Sequence, residues 1–413
     1  MDFLKNIYQI IMYVFLTYIF TSLFLSRKKK KKEHPIVEDF FCYFLVPCVN
    51  EEAVIKKTLE KLVALPVRKK IIAIDDGSTD RTAEIIEAVK GPIQLLKRVK
   101  PKARIGKGAA LNQAFELLIE DAKNKNLDFS NVLVGVIDAD GFFSENIVSE
   151  LKKSFSDPAV CAVQARVKMS DINHIMFATQ DVEFFTVNNI IQKARLHTNT
   201  VGLGGNGQFF RLSDTLEQLG KKPWGDALLD DYELTLKLMM KGLKIQYIDQ
   251  AYVSQEALKH VGKFIKQRSR WVQGNLDCLH YIPRVRKSSK LSRRQEMGVY
   301  YFLAQPFINL IADLLILFMS FEMGVHILSV DMSLTVLVGI ALGILISVLF
   351  GILFTIWYLY DLKKLRLSRP SFLRIICLPF SISYIYIILF VSILLAFYRF
   401  IVGNKQWIKT DRN

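Results

Sequence analysis

Four long apolar stretches, one near the start of the chain and three near its end, constrain the fold most, because each must be buried in protein or in lipid. Ile7 to Leu25 carries no charge and, at about 1.5 Å per residue, reaches roughly 28 Å, one hydrocarbon core. A basic block, Arg27 to Lys32, follows it where a cleaved leader would have small residues, so the segment reads as an anchor. The second stretch, about Tyr300 to Phe321, is interrupted by Pro306 and Asp313; the third, Leu334 to Tyr360, and the fourth, Ile375 to Tyr398, are uncharged. The whole chain is 51% hydrophobic yet 23% charged, which fits a globular domain joined to membrane segments and neither alone.

Charge orients these segments. Arg27 to Lys32 and the loop holding Lys363, Lys364, Arg366, Arg369 and Arg374 belong in the cytosol, and Glu322 to Ser333, without Lys or Arg, belongs outside. A full fourth span then puts the C-terminus outside, whereas Lys405, Lys409 and Arg412 favour the cytosol. Either the interrupted second segment does not cross fully or the tail departs from the rule. Much of the net charge of +16 lies beside apolar segments, so it is read as attraction to anionic lipid and not to nucleic acid. Five cysteines, odd in number and without metal-ligand pairing, fit a reducing compartment.

The expected organisation is an anchor over 1–26, a basic linker over 27–39, a cytosolic globular domain over 40–275, an interfacial segment over 276–298, a membrane region of about three segments over 299–402 and a basic tail over 403–413. Within the domain, Tyr43 to Val46, Lys70 to Ile74 and Val132 to Ile137 read as buried strands. Glu52 to Val63, Thr82 to Val89 and Lys107 to Ala122 read as helices. The alternation predicts α/β units around a mainly parallel sheet, with ligands beyond the C-terminal strand ends. Those ends carry Pro47-Cys48-Val49-Asn50-Glu51, Asp75-Asp76-Gly77-Ser78 and Asp138-Ala139-Asp140-Gly141.

Each motif has two readings. Asp138 and Asp140 either form an acidic turn or supply oxygen ligands to a divalent cation on a diphosphate. Asp75 and Asp76 precede a helix that Ser78, Thr79 or Asp80 can cap, and a carboxylate there can also accept hydrogen bonds from a base or ribose. Gly106-Lys107-Gly108 lacks the phosphate-loop spacing and, taken alone, is a glycine-rich helix start with a solvated lysine. Asp230-Asp231-Tyr232-Glu233 opens a helix, where acids suit the dipole or one of them takes a proton from an attacking hydroxyl. Gln267-Arg268-Ser269-Arg270-Trp271 is either a membrane-surface helix or an Arg for diphosphate beside an aromatic face for sugar. The six histidines show no ligand spacing, and no serine-hydrolase signature is present.

In this order, from Phe40 to Gly274, the motifs resemble family 2 glycosyltransferases, specifically the membrane-integrated processive synthases of cellulose, chitin, hyaluronan and poly-N-acetylglucosamine. The resemblance implies a GT-A-like domain, a UDP-sugar donor, a growing polysaccharide as acceptor, Mg²⁺ or Mn²⁺, and a multi-pass protein of the cell membrane. It also implies residue roles. Asp75 and Asp76 would bind the uridine part in a pocket lined by Pro47, Asn50 and Glu51, with Lys107 near the nucleotide. Asp138 and Asp140 would handle metal and diphosphate, Asp231 would be the catalytic base, and Gln267, Arg270 and Trp271 would hold diphosphate and acceptor. Two positions depart from the pattern: Leu229-Asp230 replaces the usual Thr-Glu before the base, and the acceptor loop reads Gly204-Gly205-Asn206-Gly207-Gln208. A non-processive enzyme acting on a membrane lipid is the alternative.

Overall fold

The computed structural model describes residues 13, 17, 20–27, 39–328 and 334–403. Most of the expected anchor, the lysines at 28–32, part of the 322–333 loop and the tail beyond 403 lie outside the described residues; 20–27 form a helix, α1.

The globular half begins with three parallel strands, β1 (Phe41–Cys48), β2 (Arg68–Asp75) and β3 (Ile93–Lys97), joined by α2 (Ile55–Val63) and α3 (Thr82–Ala88). α4 (Lys107–Asn124) then leads to β4 (Val132–Val136), which pairs parallel to β1 on its other side. β5 (Phe142–Phe143), α5 (Ile147–Phe155), β6 (Val160–Met169), α6 (Ile175–Asp181), a π-helical stretch (Val182–Asn188) and α7 (Asn189–Leu196) follow. Next come β7 (Gln208–Arg211), α8 (Leu212–Leu219), α9 (Asp230–Met240) and β8 (Lys244–Gln255). The sheet order is β3-β2-β1-β4-β7-β6-β8-β5.

The strands are apolar on both faces because helices cover both. From one face Tyr43, Leu45, Ile72, Ile74, Val134 and Val136 pack with Leu111, Phe115 and Leu118 of α4. From the other, Cys42, Phe44, Val46, Ile71 and Ala73 pack with Ile55 and Leu59 of α2 and Leu151 of α5. The expected strands and helices of the first half all form, and the sheet is mostly parallel, β6 also pairing parallel with β8, but it is mixed. β7 enters antiparallel between β4 and β6, and β5 pairs antiparallel with β8. A four-residue strand with no clear alternation gives little sequence signal. Gly207 makes the insertion possible: it sits at φ +76°, and a Cβ there would lie 2.5 Å from the Val253 side chain.

Past the domain, α10 (Val261–Asp277) and α11 (Ile282–Lys287) lead to three long helices, α12 (Arg293–Leu328), α13 (Leu334–Lys364) and α14 (Phe372–Ile401). Residues 322–328, expected in a loop, continue α12. Among the described residues, one helix, Arg293–Phe318, is long and apolar enough to cross a membrane by length and composition. A second candidate is the pair Phe372–Ile382 and Ile387–Ile401, bent by 45°. α13 and α14 touch at Gly351, where a Cβ would lie 2.2 Å from the Pro379 carbonyl oxygen.

Polar contacts join these helices to the sheet domain. The Arg166 guanidinium of β6 is ion-paired with Asp361 of α13, both buried. Tyr358 Oη donates to Asp181 Oδ2 at 2.6 Å, and the Thr179 and Ser381 hydroxyls meet at 2.7 Å. Removing one member of a buried pair leaves the other charge stranded, whereas replacing both with apolar groups is far less costly. Asp361→Ala should therefore destabilise the protein by about 3–5 kcal/mol. An Arg166→Met/Asp361→Leu double variant should recover most of that loss, as read by thermal unfolding in detergent.

Candidate active site

Parallel pairing places the acidic motifs on one edge of the sheet. Cys48 is in register with Asp75 and Leu45 with Val136, so β1, β2 and β4 all deliver their polar C-terminal turns there. At β1, Pro47 pairs with Ile74, and Asn50, at φ +52°, receives the Thr79 N–H on Oδ1 at 2.8 Å. Its own N–H donates to Ser78 Oγ at 3.0 Å. Glu51 is buried beside it, with its N–H on Thr82 Oγ1 at 2.7 Å.

Asp75 and Asp76 are both buried. Asp75 Oδ1 accepts the Ser78 N–H at 2.8 Å. Asp76 Oδ1 is held by the Arg98 guanidinium and by the Arg104 N–H at 3.1 Å. Burial pushes the Asp76 carboxyl up despite the Arg104 N–H and Arg98. Arg104 turns back onto the Gly77 carbonyl at 2.8 and 3.0 Å. Sequence reading missed Arg98 and Arg104; the only signal was the basic run after β3. The loop they hold forms one wall of a cleft of ≈ 390 Å³, lined by Arg104, Gly106, Lys107, Gly225 and Asp230 among others. That is within the usual size range of small-ligand sites.

Lys107, the first residue of α4, points into this edge. Its Nζ donates to Asp138 Oδ1 at 2.8 Å and to the Gly205 carbonyl at 3.1 Å. Burial alone would lower its pKa, but Asp138, then Asp230 and Asp231, raise it. Asn206, also missed as a site residue, fastens the 204–208 loop to the acidic turn by accepting the Asp138 N–H at 3.2 Å. Gln164 holds the same loop, accepting the Gly204 N–H at 2.7 Å and donating to the Asn206 carbonyl at 2.9 Å. A methyl group on Gly205 would sit 3.1 Å from Lys107 Nζ and 3.4 Å from Asp231 Oδ2, so lysine and aspartate converge above that glycine.

Asp230 and Asp231 open α9. Asp231 Oδ1 accepts the Tyr232 N–H at 2.7 Å, and Asp230 Oδ2 is buried with no hydrogen-bond partner among the described residues. Asp231 is pushed up to about 7, chiefly by burial and then by Asp230, against the pull of Lys107. Burial raises Asp230 as well, against Lys107 and Arg270. Arg270 faces Asp230, Asp138 and Asp231 from α10, with Arg399 of α14 also within its field; burial lowers its pKa. Its Nε has no hydrogen-bond partner among the described residues. Glu233, by contrast, accepts from Tyr281 Oη at 2.6 Å and from the Ala227 N–H at 3.0 Å, which is a structural setting.

The remaining expected residues sit at the margin. Asp140 Oδ2 accepts the Glu256 N–H at 2.9 Å. Gln267 is half-buried on α10, one turn before Trp271. Trp271 packs against the Phe184 ring at 5.9 Å and beneath the Arg268 guanidinium at 4.4 Å. Among the described residues no group of three or more His, Cys, Asp or Glu could hold a metal ion. Asp138 and Asp140 offer oxygen donors of the kind a hard divalent cation takes, and phosphate oxygens and water would have to complete the shell.

The raised Asp231 has a consequence for stability. Between its ordinary value of 3.8 and about 7 the folded chain binds a proton that the unfolded chain has released, so stability falls as pH rises through that window. Asp231→Asn should thus melt higher than the native chain at pH 8. The gap should narrow at pH 5, as read by thermal unfolding in detergent.

Residues 41–274 match the family described as "Glycosyltransferase like family 2". The chain is 29% identical over 245 residues to a beta-monoglucosyldiacylglycerol synthase of Synechocystis, covering 56% of this chain and 47% of the relative. It is equally 29% identical over 240 residues to the poly-beta-1,6-N-acetyl-D-glucosamine synthase of Staphylococcus aureus, covering 57% and 55%. The chain thus spans about half the length of the curated relatives it matches. Among solved structures it is similar to the mannosyltransferase PcManGT from Pyrobaculum calidifontis, in complex with GDP-Man and Mn²⁺. That likeness has a TM-score of 0.63 at 16% identity, over 97% of this chain and 99% of that one. With its sheet domain matched from the first strand to α10, the chain belongs to glycosyltransferase family 2.

Proposed function

We propose that this protein is a membrane-bound polysaccharide synthase that transfers sugar from a UDP-sugar to a growing glycan, with inversion at the anomeric carbon. The observation that carries the reading is buried Asp230 and half-buried Asp231 facing Lys107 and Arg270, with Asp231 raised to about 7. A carboxylate poised near neutral pH is matched to taking a proton from a sugar hydroxyl. In this mechanism Asp231 accepts the proton of the acceptor hydroxyl as its oxygen attacks the anomeric carbon. The bond to UDP breaks, its electron pair leaving on the phosphate oxygen. Arg270 and Lys107 offset the negative charge that collects there. Asp75, Asp76, Pro47, Asn50 and Glu51 line the uridine end. Asp138 and Asp140, with the donor diphosphate, would hold Mg²⁺ or Mn²⁺, which would supply further charge neutralisation to the leaving group. Gln267 and Trp271 engage the acceptor end.

The 40–275 domain lies in the cytosol, where UDP-sugars are made, and the segments over 1–26 and 299–402 span the cell membrane. The apolar composition of those segments and the candidate helix Arg293–Phe318 support this. Transfer to a membrane lipid has one specific observation in its favour: the Synechocystis relative, named for a glycosyl-diacylglycerol product, is as similar as the polysaccharide synthase. The Gln267-x-x-Arg270-Trp271 segment favours a polymer. Sizing the product made by membranes from radiolabelled UDP-sugars separates the two: a ladder supports the polymer, and a single lipid-linked sugar overturns it.

Asp231→Asn should keep UDP-sugar binding and lower transfer by at least ~10², the usual reach of general-base catalysis. In the native enzyme transfer should rise with pH through about 7 and level off above it, since the protonated carboxyl cannot act as base. Excess chelator should abolish transfer by washed membranes, and Mg²⁺ or Mn²⁺ should restore it. Asp140→Asn should stay folded and membrane-bound but lose activity.

A further inference from the structure

Arg268 lies among the three α10 residues to which the proposed function gives roles, Gln267, Arg270 and Trp271, and none has been given to it. Its side chain is 7% exposed, an unusual depth for a guanidinium. Its Nη2 donates to Glu183 Oε2 at 2.8 Å, and its Nε is buried without a hydrogen-bond partner among the described residues. Three aromatic rings enclose it: Trp271 with its centroid at 4.4 Å, Phe264 at 4.5 Å and Phe184 at 5.1 Å. Phe184 also meets the Trp271 ring edge-on at 5.9 Å.

Glu183 and Phe184 both come from the π-helical stretch Val182–Asn188. An α-helix widened to π geometry carries an extra residue per turn, and such stretches occur disproportionately at functional sites. Here the widened turn brings an acid and a ring together against α10. A buried ion pair contributes little net stability, because desolvating both charges offsets their attraction. What it does supply is direction: a planar guanidinium anchored at one edge presents a flat face, and Trp271 lies against that face.

We propose that Glu183 and Arg268 are positioning residues that fix the Trp271 ring by stacking one of its faces, leaving the ring oriented for an acceptor sugar. This rests on the reading of Trp271 as an acceptor contact. Loss of the pair leaves donor binding intact and lets the acceptor dwell less well, so water competes for the activated sugar.

The test uses membranes containing the full chain, radiolabelled UDP-glucose and UDP-N-acetylglucosamine, and the fraction of consumed donor recovered as free sugar. Glu183→Gln keeps the shape and removes the charge that anchors Arg268; Arg268→Lys keeps the charge and removes the flat face. Each should raise the ratio of hydrolysis to transfer by about five- to tenfold, the reach of one partly desolvated cation–π contact. The KM for donor should stay near its native value, which a merely structural role would not leave alone, while the thermal midpoint in detergent falls as Arg268 loses its partner. The double variant should be no worse than the worse single one, as expected for two residues acting through one ring. Trp271→Ala is run beside them. If Trp271→Ala raises hydrolysis and both pair variants leave it at the native ratio, the positioning proposal is overturned and the acceptor reading stands. If Trp271→Ala leaves the ratio native as well, the acceptor reading falls and the proposal falls with it. Should Arg268→Lys not fold, Glu183→Gln alone decides.

Discussion

Everything at the sheet edge depends on how one buried ammonium is surrounded. Lys107 touches Asp138 and the Gly205 carbonyl, and lies within the field of Asp230 and Asp231. These carboxylates come from two places, the turn after β4 and the start of α9, which meet at the edge where β4 runs parallel to β1. Without the lysine, acids brought so close would repel one another, and without the acids burial would pull the lysine's pKa down. The charge balance and the sheet topology are thus one constraint. The same balance leaves Asp231 able to change protonation near neutral pH, whereas Asp76, clasped by Arg98, is committed to holding a loop.

The first half of the fold was legible because its signals are local. Tyr43 to Val46 and Lys70 to Ile74 are short apolar runs bounded by polar turns, and they lie inside β1 and β2. The far half of the sheet was not, because β7 is short and its antiparallel entry depends on Gly207 and on a partner strand more than forty residues earlier in the chain. Within the candidate site, acidic clusters at strand ends can be read from sequence, since a carboxylate after a buried strand is conspicuous. Their partners cannot. Arg98 reaches Asp76, and Glu183 reaches Arg268 across 85 positions, and nothing in the spacing of either pair announces it. The departure at Leu229-Asp230 proved informative in a physical sense: the residue in place of the usual Glu is a buried acid that raises its neighbour.

Membership of family 2 fixes a type of chemistry more firmly than a product. Two relatives of equal identity carry names as different as a glycolipid synthase and a polysaccharide synthase, and each match covers little more than half of the chain. The proposed acceptor end of the site takes in the 204–208 loop and Trp271. There this chain differs from the motif pattern, and there the π-helical turn adds ring and charge to α10.

The link between β6 and α13 bears on what counts as a separable unit. Residues 40–275 read as a self-contained domain by composition, but Arg166 and Asp181, both buried, have as partners Asp361 and Tyr358. A chain cut ahead of α12 would present an open patch bearing an unpaired guanidinium beside the apolar surface that Phe354 and Leu362 cover in the intact molecule. Expressing the catalytic half alone would therefore invite aggregation. Any displacement of the long helices would be felt directly in β6, the strand beside β7 and the 204–208 loop, so the sheet and the C-terminal helices are mechanically joined through an ion pair, a tyrosine and a hydroxyl pair.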